Sequence, residues 1–174
     1  MSDRFVVIGG DAAGMSAASK AKREDPNLDV IVFEKGEWVS YAACGMPYYV
    51  KGDIAELEDL VAMTVEQFRE DRDIDLRTGH EVLKIDPEAQ TVTVEGDGDR
   101  FEHGYDHLLV GTGASAIVPP FEGTDLEGVF TIHDMDEAAA IESYVSGQSP
   151  ERATIVGGGY VGIEMAEALA ARGM

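Results

Sequence analysis

The 174-residue sequence holds a single cysteine, Cys44, and only 13 lysines and arginines against 34 aspartates and glutamates. One cysteine excludes an internal disulfide, and a lone thiol suits a reducing cytoplasm. The shortage of positive charge leaves a formal net of -21. Such a surface repels nucleic acid and anionic membranes, so neither is expected as a partner. Acidic residues spread through nearly every loop keep a protein dissolved where salt screens their mutual repulsion, so a halophilic source is expected. Long hydrophobic runs are also missing: no stretch approaches the roughly 18 apolar residues of a membrane span. Met1 leads straight into an apolar segment, with no basic leader or cleavage motif, and a cytoplasmic location is the expectation. What is plentiful is apolar content, 44% of residues, enough for one ordinary core or two small ones rather than disorder.

Two short apolar runs, Arg4–Ile8 and 28–33, flank the alanine-rich stretch Ala12–Glu24. Within that stretch Met15, Ala18 and Ala21 recur at helical spacing until Asp25-Pro26 stops it. Strand, tight turn, helix and strand predict a βαβ unit, whose crossover makes its strands parallel. Residues 64–71 predict a short helix capped by Thr64, with Gln67 at the capping-box position. Alternating segments at 81–85, 91–94 and 100–103 are separated by Asp86-Pro87 and by Gly96-Asp97-Gly98, which predicts an antiparallel meander. His107–Val110 returns as a buried strand, and Val118-Pro119-Pro120 with 123–128 reads as a linker. Beyond it come a helix over 135–145, a strand over 153–156 and a helix over 161–172. They open a second βαβ unit without its return strand, so the sequence reads as truncated.

The segment VVIGGDAAGMSAA puts Gly9 and Gly14 at the outer positions of a dinucleotide fingerprint. The first glycine permits the tight turn and the last lets helix and strand approach, leaving a pyrophosphate against the helix N-terminus. Glu34 ends the second strand 20 residues after Gly14, where a carboxylate accepts from ribose hydroxyls. Asp11 replaces the middle glycine; its carboxylate cannot face a phosphate and is expected to turn outward. A second turn, IVGGGYVGIEMAEALA, keeps Gly157, Gly159 and Gly162 in register. Two turns suggest one nucleotide held and one exchanged, or a duplication with one dead site.

Cys44 lies in SYAACGMPYYV, ten residues after Glu34. A free cysteine is commonly a small buried hydrophobe. Here its solitude, its nearness to a nucleotide motif and its place at the start of a short helix favour a redox thiolate. Lys20, Lys22 and Arg23 form a basic cluster on the first helix, either a solvated face or a seat for an anionic ligand. Tyr48 and Tyr49 suit flavin contact or core packing equally. His80, His103, His107 and His133 lack metal-ligand spacing, so no metal is expected and all four read as surface residues.

In this order, VVIGGDAAGMSAA, VIVFEKG, SYAACGMPYYV, LLVGTGASAIVPP and IVGGGYVGIEMAEALA resemble the pyridine nucleotide–disulfide oxidoreductases. Within them the likeness is to the single-cysteine branch of coenzyme A disulfide reductases, NADH oxidases and NADH peroxidases. The resemblance implies an α/β fold. Residues 1–116 would form a Rossmann-like FAD-binding domain, a parallel sheet plus an antiparallel β-meander. Residues 117–174 would form a linker and the start of an NAD(P)-binding Rossmann domain. It further implies that Gly9, Gly10, Ala13, Gly14, Glu34, Lys35 and Val82 hold FAD, with Thr112 and Gly113 in a turn returning near it. Gly157, Gly159 and Gly162 would hold NADH or NADPH, and Cys44 would be the redox nucleophile. Ser16, Lys20, Arg23 and Ser40 match positions that contact coenzyme A, whereas Ala43 stands where the reductases have a polar residue. The oxidases and peroxidases carry a histidine at the position of Ala12. Its absence favours a small disulfide or persulfide as substrate, with an oxidase or a non-catalytic flavin module as rivals. A second FAD motif and C-terminal tyrosines would lie beyond Met174, and the full-length protein would be a homodimer.

Overall fold

A computed structural model describes residues 2–174. In chain order the first elements are β1 (Arg4–Ile8), α1 (Ala12–Glu24), β2 (Asp29–Phe33), α2 (Met46–Lys51), α3 (Val65–Arg72) and β3 (Asp75–Arg77). The strands β4 (Glu81–Asp86), β5 (Thr91–Gly96), β6 (Asp99–Gly104) and β7 (His107–Val110) follow, then α4 (Met135–Gln148) and α5 (Tyr160–Ala171). The chain divides into two compact units, 1–41 with 61–113 and 42–60 with 114–174.

The first unit is built on a parallel sheet in the order β3-β2-β1-β7. Val6 is in register with Ile31 on one side and Leu108 on the other. Consecutive strand residues point to opposite faces, so β1 and β2, apolar after their first residues Arg4 and Asp29, serve two cores. Val7, Val30 and Val32 face α1 and α3 and pack with Met15, Ala18, Phe68, Ile74 and Leu76. Val6, Ile8, Ile31 and Phe33 face the meander β4-β5-β6 and pack with Val92, Val94 and Tyr105. The meander is antiparallel, with a register shift between Val82 and Lys84. At the start of α3 the capping box forms: Gln67 N–H donates to Thr64 Oγ1, and Thr64 N–H to Gln67 Oε1.

Two of the four histidines depart from the surface expectation. His80 is only 7% exposed, stacked 6.2 Å from Phe33, with Nδ1 2.7 Å from Thr78 O. His103 is half-buried edge-on to the same Phe33, at 5.6 Å. Imidazole is a flat aromatic ring, and the Phe33 ring supplies the surface that draws both inward. Burial accordingly pushes the His103 pKa down, with the charges of Arg77 and Arg4 acting in the same direction. His107 and His133 are exposed.

In the second unit α2, α4 and α5 share a core of Val50, Ile141, Val145, Met165 and Leu169. Arg172 fastens its ends, donating from Nη1 to Val50 O (2.9 Å) and from Nη2 to Ser146 Oγ (2.8 Å). Residues 153–156 are not a strand; they are irregular and exposed. Strand formation needs a paired backbone, and among the described residues no strand pairs with them. No helix among the described residues is long and apolar enough to cross a membrane.

Candidate functional site

The first glycine turn is held by close backbone packing. Gly9 adopts φ +106° and donates its N–H to Phe33 O (2.8 Å). A Cβ on Gly14 would overlap the Gly9 carbonyl oxygen, and one on Gly10 would come within 2.9 Å of both Glu34 Cβ and Val39 Cγ1. Glu34 is clamped by two N–H groups: Oε2 accepts from Gly10 and Oε1 from Gly36, each at 2.7 Å. At the end of β7, Gly111 N–H reaches Ile8 O (2.8 Å), which sets Thr112 and Gly113, both exposed, beside the turn. No side chain caps the first turn of α1, so its positive end is left for an external acceptor. Ala13 is exposed there, and Lys35 is exposed after Glu34. Val82 lies on the meander, packed against the Val6 and Phe33 core.

Asp11 corrects an expectation. Its side chain does not turn outward: it is half-buried, and Oδ1 has no hydrogen-bond partner. Ser40 N–H bonds Gly10 O (3.0 Å) and draws the following segment over the turn, which encloses position 11. Burial pushes the carboxyl pKa up; the Tyr41 and Ala12 N–H groups oppose this, and the Glu34 charge adds to it. A carboxyl raised in the folded state weakens folding while ionised, and that penalty fades as pH falls through its folded pKa. Asp11→Asn is therefore expected to raise the thermal midpoint at pH 7. The gain should shrink toward pH 4, as read by calorimetry at both values.

A groove of about 400 Å³ runs between α1 and α3, lined by Ala12, Met15, Ser16, Ser19, Arg23, Ser40, Met63, Gln67 and Arg72 among others. It gathers Ser16, Arg23 and Ser40, three of the four residues expected at a substrate. Lys20 is instead ion-paired with Glu24. The basic cluster does not act as one. Lys22 is half-buried, its side chain 10% exposed, and donates to Leu28 O (3.0 Å), Pro26 O (3.2 Å) and Asp73 Oδ2 (2.6 Å), so its role is structural. Arg72, at the end of α3, joins Arg23 in its place. Sequence spacing carried no sign of this, because the two arginines meet only through helix packing.

Cys44 sits in a single 3₁₀ turn, Ala43–Gly45, immediately before α2, and is exposed. Its setting is pinned by Ala42 N–H to Leu60 O and Gly45 N–H to Ala42 O, both 2.8 Å. The side chain of Tyr49 packs on the α2-α4-α5 core, whereas Tyr48 is 52% exposed. The second glycine turn repeats the geometry of the first. Gly157 has φ +113°, and a Cβ on Gly162 would overlap the Gly157 carbonyl oxygen, as Gly14 would overlap Gly9. The turn therefore forms even though residues 153–156 lack a partner strand. Among the described residues no group of three or more His, Cys, Asp or Glu could hold a metal ion.

Parallel strands, a crossover helix packed through a glycine turn and a carboxylate closing β2 define a dinucleotide-binding α/β protein of Rossmann type. Its family follows from the comparisons: the chain belongs to the pyridine nucleotide-disulphide oxidoreductases, matched over residues 3–174. It is 46% identical over 173 residues to the NAD(P)H coenzyme A polysulfide/persulfide reductase of Pyrococcus horikoshii, covering 99% of this chain and 38% of that one. It is 34% identical to an NADH oxidase of Methanocaldococcus jannaschii, covering 98% and 38%. The crystal structure of reduced Bacillus anthracis CoADR-RHD superposes with a TM-score of 0.97 at 36% identity, over 100% of this chain and 32% of that one. The chain thus spans under two fifths of the length of the curated relatives it matches.

Proposed function

We propose that the whole protein is an FAD-dependent NAD(P)H oxidoreductase that reduces a small disulfide or persulfide of the coenzyme A type through Cys44. The observation that carries this reading is the exposure of the chain's one cysteine at the head of α2. A thiol kept for packing would be buried. The glycine turn fits a dinucleotide: Gly9, Gly10 and Gly14 let it pack against Gly111, Glu34 and its own backbone, where any Cβ would collide, and α1 presents an uncapped N-terminus to a pyrophosphate. Gly9, Gly10, Ala13, Gly14, Glu34, Lys35, Val82, Thr112 and Gly113 are the proposed FAD residues, within a domain of residues 1–116. Glu34, oriented by two N–H groups, keeps lone pairs for ribose hydroxyls. Gly157, Gly159 and Gly162 are proposed to seat NAD(P)H in the domain beginning at 117.

FAD would supply hydride acceptance from NAD(P)H and return of two electrons to sulfur. The Cys44 thiolate attacks one sulfur of the substrate, the S–S bond breaks, and the first thiol leaves with a proton. The resulting mixed disulfide on Cys44 takes up two electrons, which releases the second thiolate and restores Cys44. Ser16, Arg23, Ser40 and Arg72 hold the anionic part of the substrate. Lys20, tied to Glu24, reaches it only by exchanging that partner. A cytoplasmic, halophilic homodimer completes the proposal. The test is thiol release set against oxygen uptake in the FAD-loaded protein with NADH and coenzyme A disulfide. Two thiols per NADH with no oxygen consumed is the expected result; oxygen uptake matching NADH loss would make it an oxidase.

A further inference from the structure

Ser19 stands apart from the residues so far given roles. It is 3% exposed, it lines the α1-α3 groove, and its Oγ makes no hydrogen bond. A buried hydroxyl without a partner is costly, because it has left water and gained nothing in exchange. In a helix interior serine ordinarily bonds back to the carbonyl four residues earlier or points to solvent; Ser19 does neither. Its neighbours add a second observation. Ser16, Ser19 and Arg23 share one face of α1 by their spacing, and Arg72 closes the groove from α3. Among the described residues neither Arg23 nor Arg72 has an ion pair, although acidic groups outnumber basic ones 34 to 13. Arg72 lies over the Phe68 ring, 5.4 Å from its centroid, and like Arg23 has no carboxylate partner among the described residues, so both guanidiniums keep N–H donors for an anion near the unsatisfied hydroxyl. Gln67 adds to it: its Oε1 is occupied by Thr64 N–H, which leaves its amide NH₂ as a further donor.

We infer that Ser19 is a specificity-determining residue, a buried hydroxyl donor that reads a phosphoryl oxygen of the substrate between the guanidiniums of Arg23 and Arg72. The inference rests on the proposed substrate class. Ser19 separates phosphate-bearing thiols and disulfides from phosphate-free ones of the same chain length. The protein retains an unsatisfied hydroxyl in the free state for the sake of that discrimination.

The test compares Ser19→Ala with wild type by calorimetric titration of coenzyme A and of pantetheine, which lacks the phosphates, and by thermal unfolding without ligand. Wild type should bind coenzyme A more tightly than pantetheine. Ser19→Ala should lose roughly tenfold or more of the coenzyme A affinity, the worth of a hydrogen bond to a charged group. Pantetheine affinity should be unchanged, and the unliganded thermal midpoint should hold or rise, since alanine removes the orphaned hydroxyl. Unchanged coenzyme A binding in a folded Ser19→Ala, or equal loss of both ligands, overturns the role of Ser19 while leaving the substrate class intact. If wild type does not prefer coenzyme A to pantetheine, the substrate class falls, and the role of Ser19 falls with it.

Discussion

Cys44→Ser is expected to lower disulfide reduction by at least about a thousandfold, because a serine hydroxyl stays protonated at neutral pH where a thiol is partly ionised and far more nucleophilic. The side chain is exposed, so the exchange of sulfur for oxygen should cost little stability. Flavin absorbance, and oxidation of NADH by two equivalents of an artificial one-electron acceptor, should persist, since neither needs the thiol. Stopped-flow absorbance with NADH, followed by addition of disulfide, separates the two half-reactions. Wild type reoxidises on disulfide and the variant does not. Turnover of the variant within tenfold of wild type would sink the thiol mechanism and leave only a nucleotide-binding scaffold.

Gly14→Ala should be the most damaging single methyl in the first unit. Its Cβ would overlap the Gly9 carbonyl oxygen and press within 3.0 Å of Val7 Cγ1. Neither obstacle can yield cheaply, for one is backbone locked by Gly9 N–H to Phe33 O and the other belongs to a fully buried core residue. The helix would have to lift off β1, opening the contacts of Met15 and Ala18. A cost above about 3 kcal/mol is expected, a large share of a typical domain's stability. Gly147→Ala in α4 is the matched control: its Cβ meets nothing within 4 Å, and the substitution should stabilise by up to about 1 kcal/mol. Urea unfolding of both variants decides the matter, and a wild-type midpoint for Gly14→Ala would refute the packing argument.

Where local pattern carries the information, sequence and structure agree. The bounds of β1 and α1, the Thr64 capping box and the three strands of the meander were all readable, because propensity, periodicity and turn chemistry point the same way at each. Short or partner-dependent elements were not. The strand β3 is three residues with Leu76 alone buried, too brief to show a period. Residues 153–156 have the composition of a strand, but a strand is a property of pairs. Within the site, the glycine turns and Glu34 are encoded by spacing, whereas Arg72 and the buried Ser19 depend on how α3 packs beside α1. The errors at Asp11 and His80 share one cause. Polarity points each of them to solvent, whereas neighbours distant in sequence enclose them.

The segment that carries Cys44 leaves the first unit after Tyr41 and rejoins it at Val61, its two ends bridged to each other. Its helix α2 nevertheless packs Val50 into the core of α4 and α5, and the carbonyl of Val50 waits for an arginine 122 residues downstream. During synthesis, which proceeds from the N-terminus, the nucleotide cradle can close early while this short helix stays undocked until the last turns of α5 emerge. The nascent chain therefore gains its nucleotide fold well before its sulfur is fixed in place.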